Sequence, residues 1–175
     1  MSDRAAIFPD FFRMLTVVTR TRGLKMGSNS RSLLAIHPFL EGLRSDHIDA
    51  VVACTSKVSF AAGEYILRSD DDASKFYLIT KGEVVVQVPQ SRSAQPTIIQ
   101  TLHDGDVFGW SWLFPPYRWH FDVRATHETQ ALAIDGAALR PRMDADHEFG
   151  YVITQRFAKL LVRRLQGILL RMVDD

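Results

Sequence analysis

Residues 60–86 read FAAGEYILRSDDDASKFYLITKGEVVV, and their texture is that of short strands broken by tight turns. The runs EYILR, KFYLIT and EVVV are rich in β-branched and aromatic side chains, while AAG, SDDDAS and KG between them carry the glycine and aspartate that turns require. The same alternation extends in both directions. KVSF precedes the stretch, and EVVVQV, TIIQTL, FDVRA and TQALAID follow or extend it, with PQSRSAQP and HDGD as further breaks. Several strands at such regular spacing predict a small antiparallel sandwich or barrel.

Helical patterns flank this region. LLAIHPFLEGLRSDHIDAVVACT, residues 33–55, predicts two short helices, the second opened by Ser45 or Asp46 as N-cap. From Leu139 the apolar period becomes helical again, giving a short helix interrupted at Pro141 and a long one that starts near Asp146, a suitable N-cap. On the long helix Phe149, Ile153, Phe157 and Leu160 form one stripe, continued by Leu161, Leu165, Ile168 and Met172. So wide a stripe exceeds what one neighbour covers: one face is expected to close over the barrel and the distal seam to pair with a second copy, making a homodimer. Residues 1–31 form a basic arm, six cations against Asp3 and Asp10, ahead of a domain spanning 32–175. Phe8, Phe11, Phe12, Leu15 and Val18 recur there at helical spacing, which fits an amphipathic helix on a partner or surface, a helix packed on its own domain, or a disordered tail.

Composition removes several function classes. With 21 basic and 20 acidic residues, the chain has no overall field that would draw it to nucleic acid or anionic lipid. The single cysteine, Cys54, excludes an internal disulfide, a thiolate zinc site and an iron–sulfur centre, and its apolar setting DAVVACT reads as core. No run approaches the roughly 20 apolar residues of a membrane span, and no signal peptide opens the chain, so the cytoplasm is expected. His37, His47, His103, His120, His127 and His147 form no pair two or four apart, which argues against a metal enzyme; no nucleophile elbow or phosphate loop is present, so neither an enzyme nor a cofactor is expected.

The order of these motifs resembles the cyclic-nucleotide-binding domains of the catabolite-activator and fumarate-nitrate-regulator superfamily, over residues 33 to 173. FAAGEYILRSDDDASKFYLITKGEVVV is similar to that family's Phe-x-x-Gly-Glu-x-Ile turn followed by Tyr-x-Ile-x-x-Gly-x-Val, and GDVFGWSWL…FDVRA to its Gly-Asp-x-Phe-Gly phosphate cassette. The resemblance implies a mainly β fold with flanking α, a double-stranded β-helix (jelly-roll) barrel between short N-terminal helices and a long C-terminal helix. It further implies a regulatory module that binds a small molecule and relays occupancy through that helix. Transcription factors of the superfamily carry a helix-turn-helix beyond the long helix, whereas this chain stops at Asp175, so no DNA binding by this chain alone is expected.

At the cassette the side chains depart from the family pattern. Gly109 opens a short helical turn whose free N–H groups suit an anionic oxygen, and Pro115 and Pro116 end it. The family's ribose-binding glutamate and phosphate-binding arginine, however, fall on Trp110 and Trp119, uncharged donors that cannot replace them. Arg118 with Ser111 would restore a charge only if the loop shifted by one residue, because neighbours on an extended strand face opposite ways. The candidate ligand-binding residues are therefore Gly109, Trp110, Ser111, Trp112, Arg118 and Trp119. With Phe114 and Tyr117 the indoles form either an aromatic cavity for an unidentified planar, apolar or cationic ligand, or a plug. Two readings follow: a ligand-sensing module that does not bind cAMP or cGMP in the usual way, and a protein-interaction or scaffold domain with a tryptophan-filled pocket.

Overall fold

Two four-stranded antiparallel sheets form the body of the protein in the computed structural model, which describes residues 28–88 and 96–174. The arm segment ahead of Ser28, with its apolar residues from Phe8 to Val18, lies outside the described residues, as does the side chain of Met172. In chain order the strands are β1 (Thr55–Phe60), β2 (Tyr65–Leu67), β3 (Lys75–Lys81), β4 (Val84–Val88), β5 (Thr97–Leu102), β6 (Val107–Phe108), β7 (Asp122–Ala125) and β8 (Thr129–Asp135). One sheet runs β1-β8-β3-β6 and the other β2-β7-β4-β5, so that, apart from the β4–β5 hairpin, successive strands alternate between the two sheets in the manner of a jelly roll.

The strand runs seen in the sequence become β1–β5, β7 and β8, and their composition explains where they sit. β3 and β8 are apolar on both faces because both are covered. Tyr77, Ile79, Ala131 and Ala133 point into the barrel with Val58, Phe60 and Val84, whereas Phe76, Leu78, Leu132 and Ile134 point outward beneath the helices. This two-sided burial gives the molecule two cores, one inside the barrel and one between sheet and helices.

Among the described residues four helices surround the strands: α1 (Ser28–Ile36), α2 (Ser45–Val52), α3 (Gly136–Ala145) and α4 (His147–Asp174). α1 runs across the boundary drawn at residue 31, and Arg31 reaches α2, donating to Asp49 at 2.7 Å and to Ser45 Oγ at 2.8 Å. That contact bears on the expected N-cap of α2. The cap position is Arg44, with no side-chain cap bond, because Ser45 accepts from Arg31 and Asp46 pairs with Arg44. α3 also differs from expectation: it continues through Pro141 rather than breaking there, losing only the one backbone donor that proline lacks. Its own start is capped by Asp135, whose side chain accepts from the Ala138 N–H at 3.0 Å.

Asp146 opens α4 as the sequence suggested, with its Oδ1 accepting from the Phe149 N–H at 3.0 Å. That bond holds the Asp146 carboxyl below its usual range, helped by His47 and Arg44. Phe149, Ile153 and Phe157 are at most 1% exposed and pack with Phe76 and Trp112 in the outer core. Beyond them Val162, Leu165 and Leu169 are each more than half exposed, so the distal helix carries an apolar row with no covering element among the described residues. None of the described helices is long and apolar enough to cross a membrane.

Candidate functional site

The cassette begins where β6 ends. Gly109 follows Phe108 with φ 85° and ψ 53°, the left-handed conformation that only glycine adopts without strain, and it starts the 3-10 turn Trp110–Leu113. A Cβ at Gly109 would lie 3.2 Å from both the Lys75 carbonyl oxygen and the Trp119 ring. The indole of Trp119 thus rests directly on the glycine where an anion would approach the turn.

Trp119 is only 7% exposed and joins Leu67, Phe108 and Val123 in the barrel core. Its register is fixed by a backbone ladder. Trp119 N–H donates to the Asp71 carbonyl at 3.0 Å, Asp70 N–H to the Trp119 carbonyl at 2.9 Å, and Ala73 N–H to the Tyr117 carbonyl at 2.8 Å. In that ladder Trp119 faces inward and Arg118 outward, where Arg118 donates to the Asp70 carbonyl at 2.5 Å and pairs with Asp72 at 3.4 Å. The one-residue shift that would turn Arg118 inward would break all three ladder bonds.

The space left between Gly109, Trp110, Ser111, Trp119, Phe121 and Val123 is about 30 Å³. That is room for roughly one water molecule, against roughly 300–1,000 Å³ in small-molecule pockets. No carboxylate lines it, and its one lining cation comes from elsewhere. Arg164 of α4 reaches across and donates to the Val107 carbonyl, and burial pulls its pKa down while Asp106 opposes the shift. Sequence reasoning passed over Arg164, although it continues the Phe149, Ile153, Phe157, Leu160 stripe at a spacing of four and so places a charge on an apolar face.

The three tryptophans do not share one site. Trp110 is partly buried at the rim, stacked on His120 with centroids 5.3 Å apart, while the Ser111 hydroxyl meets His120 Nδ1 at 3.1 Å. Trp112 is fully buried in the outer core, stacked on Phe76 at 5.2 Å, with its carbonyl accepting from Arg140 at 2.7 Å and its Nε1 lacking a partner. A Cβ at Gly136 would come within 2.3 Å of the Trp112 ring, so that glycine exists to admit the indole. Tyr117 lies under the Arg140 guanidinium at 4.0 Å, and Phe114 is 43% exposed. Of the residues expected at a ligand site, the structure brings together Gly109, Trp110, Ser111 and Trp119 and places Trp112 and Arg118 outside that cavity.

Asp46, His47 and Asp146 bring potential metal-ligating atoms within 4.8 Å of one another. Each already has a role: Asp46 pairs with Arg44, and Asp146 holds both His47 and the first turn of α4.

Comparison with known proteins accords with this architecture. The family model described as cyclic nucleotide-binding domain matches residues 57–146, just over half of the chain. Human cGMP-dependent protein kinase 2 is 30% identical over 79 residues, 45% of this chain. The chain spans only about a tenth of the length of the curated relatives it matches in this way, the kinase being covered over 10% of its length. Among solved structures, a putative cyclic nucleotide-binding protein from Geobacter metallireducens superposes with a TM-score of 0.71 at 24% identity, covering 80% of this chain and 99% of that one. The catabolite activator protein of Thermus thermophilus does so at 0.61 and 21% identity, covering 77% and 61%. With its two-sheet jelly roll, its glycine-opened cassette and its long terminal helix, the chain belongs to the cyclic nucleotide-binding domain family, with structural neighbours among the Crp/Fnr regulators.

Proposed function

We propose that this chain is a non-enzymatic, cytoplasmic regulatory module of cyclic-nucleotide-binding fold that does not take cAMP or cGMP in the family's usual way. The observation that carries this reading is the indole of Trp119 seated on Gly109, which leaves a cavity of only about 30 Å³. A cyclic phosphate entering there must displace a buried ring and would then face an uncharged wall, with Arg164 as the one cation within the lining. Such a ligand gains nothing comparable to the charge-assisted bonds that an arginine in the cassette supplies.

Signalling in such a module rests on α4. The bond from Arg164 to the Val107 carbonyl ties the helix to β6, and any ligand with different affinity for the docked and released helix shifts that balance. The exposed row Val162, Leu165 and Leu169 supports pairing of α4 with a second copy. The small cavity volume also favours a second reading, an interaction or scaffold domain whose tryptophan-filled pocket never opens.

Titration calorimetry of the full chain with cAMP and with cGMP tests the first claim. Neither nucleotide is expected to bind saturably at the cassette. Saturable uptake, with a phosphate oxygen against Gly109 in a crystal of the complex, would overturn it.

A further inference from the structure

A second opening lies on the other side of β6, where α4 passes the β5–β6 turn and the segment joining α1 to α2. Its volume is about 360 Å³, and its walls include Phe39, Asp106, Val107, Arg156, Lys159 and Arg163. It reaches the size range of small-molecule sites that the cassette misses by a factor of ten or so. Val107 and Phe108 are successive residues of one strand, so Val107 faces this cleft while Phe108 faces the cassette.

Its charge is unbalanced. Arg156, Lys159 and Arg163 stand on one face of α4 at spacings of three and four, where like charges repel. Asp106 is the only acid in the lining, and its carboxylate already accepts the His103 N–H at 2.8 Å. Lys159 and Arg163 have no hydrogen bond or ion pair among the described residues, and both are exposed. Arg156 is held by the carbonyls of Phe39 and Glu41, yet its Nε is buried without an acceptor. Two free cations and a buried unpaired donor around a cleft with an apolar wall from Phe39, Val107 and Leu160 describe a receptor for an anion with an organic body. A planar guanidinium beside an ammonium suits phosphate oxygens in particular.

We infer that this cleft binds a small organic phosphate, with Lys159 and Arg163 gripping the phosphate and Phe39 supporting the rest of the molecule. The ligand bridges α4 and the β5–β6 turn, so occupancy holds the helix in its docked position. By the helical repeat, the row Val162, Leu165, Leu169 lies roughly a third of a turn away on α4, which leaves the cleft open when that row is covered. The inference goes beyond the cassette reading and does not depend on it.

The test uses adenosine 5′-monophosphate and inorganic pyrophosphate as probes on the full chain, at constant ionic strength, read by calorimetry and thermal unfolding. Both probes are expected to bind saturably. The double variant Lys159→Gln with Arg163→Gln, at exposed positions that leave the fold intact by circular dichroism, is expected to bind at least tenfold more weakly. Trp119→Ala, assayed below its lowered melting temperature where circular dichroism shows it folded, is expected to bind the probes as the unmodified chain does. Absence of saturable binding, binding undiminished in the double variant, or loss of binding in Trp119→Ala would each overturn the assignment. Uptake of cAMP at the cassette would refute the cassette reading and leave this one standing.

Discussion

Replacing Trp119 by alanine separates a ring that fills the barrel from one that merely borders it. The side chain is 7% exposed, so nearly all of the indole is out of water. An aromatic side chain of this kind buries about 150–250 Å², which at about 25 cal/mol per Å² corresponds to roughly 4–6 kcal/mol. That is an upper bound, because unfolded chains already bury some apolar surface. Large-to-small substitutions of buried aromatics cost about 3–5 kcal/mol, since the walls relax only in part. In a chain of this length about 2–4 °C is lost per kcal/mol, so the melting temperature should fall by roughly 6–20 °C. Circular dichroism melts measure the drop, and a second arm identifies its cause. The vacated space has the shape of an indole and an apolar lining from Leu67, Phe108 and Val123, so millimolar free indole should restore part of the lost stability in Trp119→Ala and none in the unmodified chain. A variant that melts within about 2 °C of the unmodified chain, less than one kcal/mol by the same conversion, and ignores indole would refute the claim that Trp119 occupies the cassette.

Two further outcomes follow from groups away from the cassette. His37 is 6% exposed; its Nδ1 accepts the Phe39 N–H at 3.2 Å, its Nε2 lacks a partner, and burial depresses its pKa below the usual 6.5 against the opposing pull of Asp106. The unfolded chain therefore takes up the proton first, so this contribution to stability is present above about 6.5 and is lost progressively as pH falls from there through the lower value of the folded chain. Melts on either side of 6.5 should show a larger acid loss for the unmodified chain than for His37→Asn, and equal losses would refute the assignment. On α4, Leu165→Asp puts a charge in the middle of the exposed row. Sedimentation should find a dimer for the unmodified chain and half that mass for the variant; identical masses would remove the pairing proposed for this helix.

Much of the fold was legible because the residues concerned obey one local rule at a time. KFYLIT and TQALAID read as strands since β3 and β8 are covered on both faces, and Phe149, Ile153 and Phe157 mark a buried helix face by spacing alone. β6 was not legible as a strand. It has two residues, too few for a period to show, and it exists by pairing Tyr77 with Phe108 and Leu78 with Val107. The cap of α2 and the passage of α3 through Pro141 were likewise set by tertiary partners, Arg31 in the first case and the packing of α3 on α4 in the second.

At the cassette, proximity in sequence suggested proximity in space, and there it misled. Between residues 110 and 119 the chain passes from the rim to the outer core and on to the barrel interior, so Trp110 and Trp119 border one small cavity while Trp112 is packed away from it. The opposite positions of Arg118 and Trp119 did follow from strand alternation. Arg164 was harder to see because it enters from a helix more than forty residues further along, and only the docking of α4 brings it to Val107.

The meeting of Trp112 with Gly136 ties two segments that are otherwise independent. Because a hydrogen at position 136 is what lets the ring lie flat on Phe76, neither site is free to vary alone: a methyl there would collide with a ring that has nowhere to go. Gly136 is also the first residue of α3, so the collision would lever that helix off its seat and carry α4 with it. Homologous chains with a bulkier residue at this point should show a smaller one in place of the indole, a pairwise signature that an alignment can reveal without any experiment.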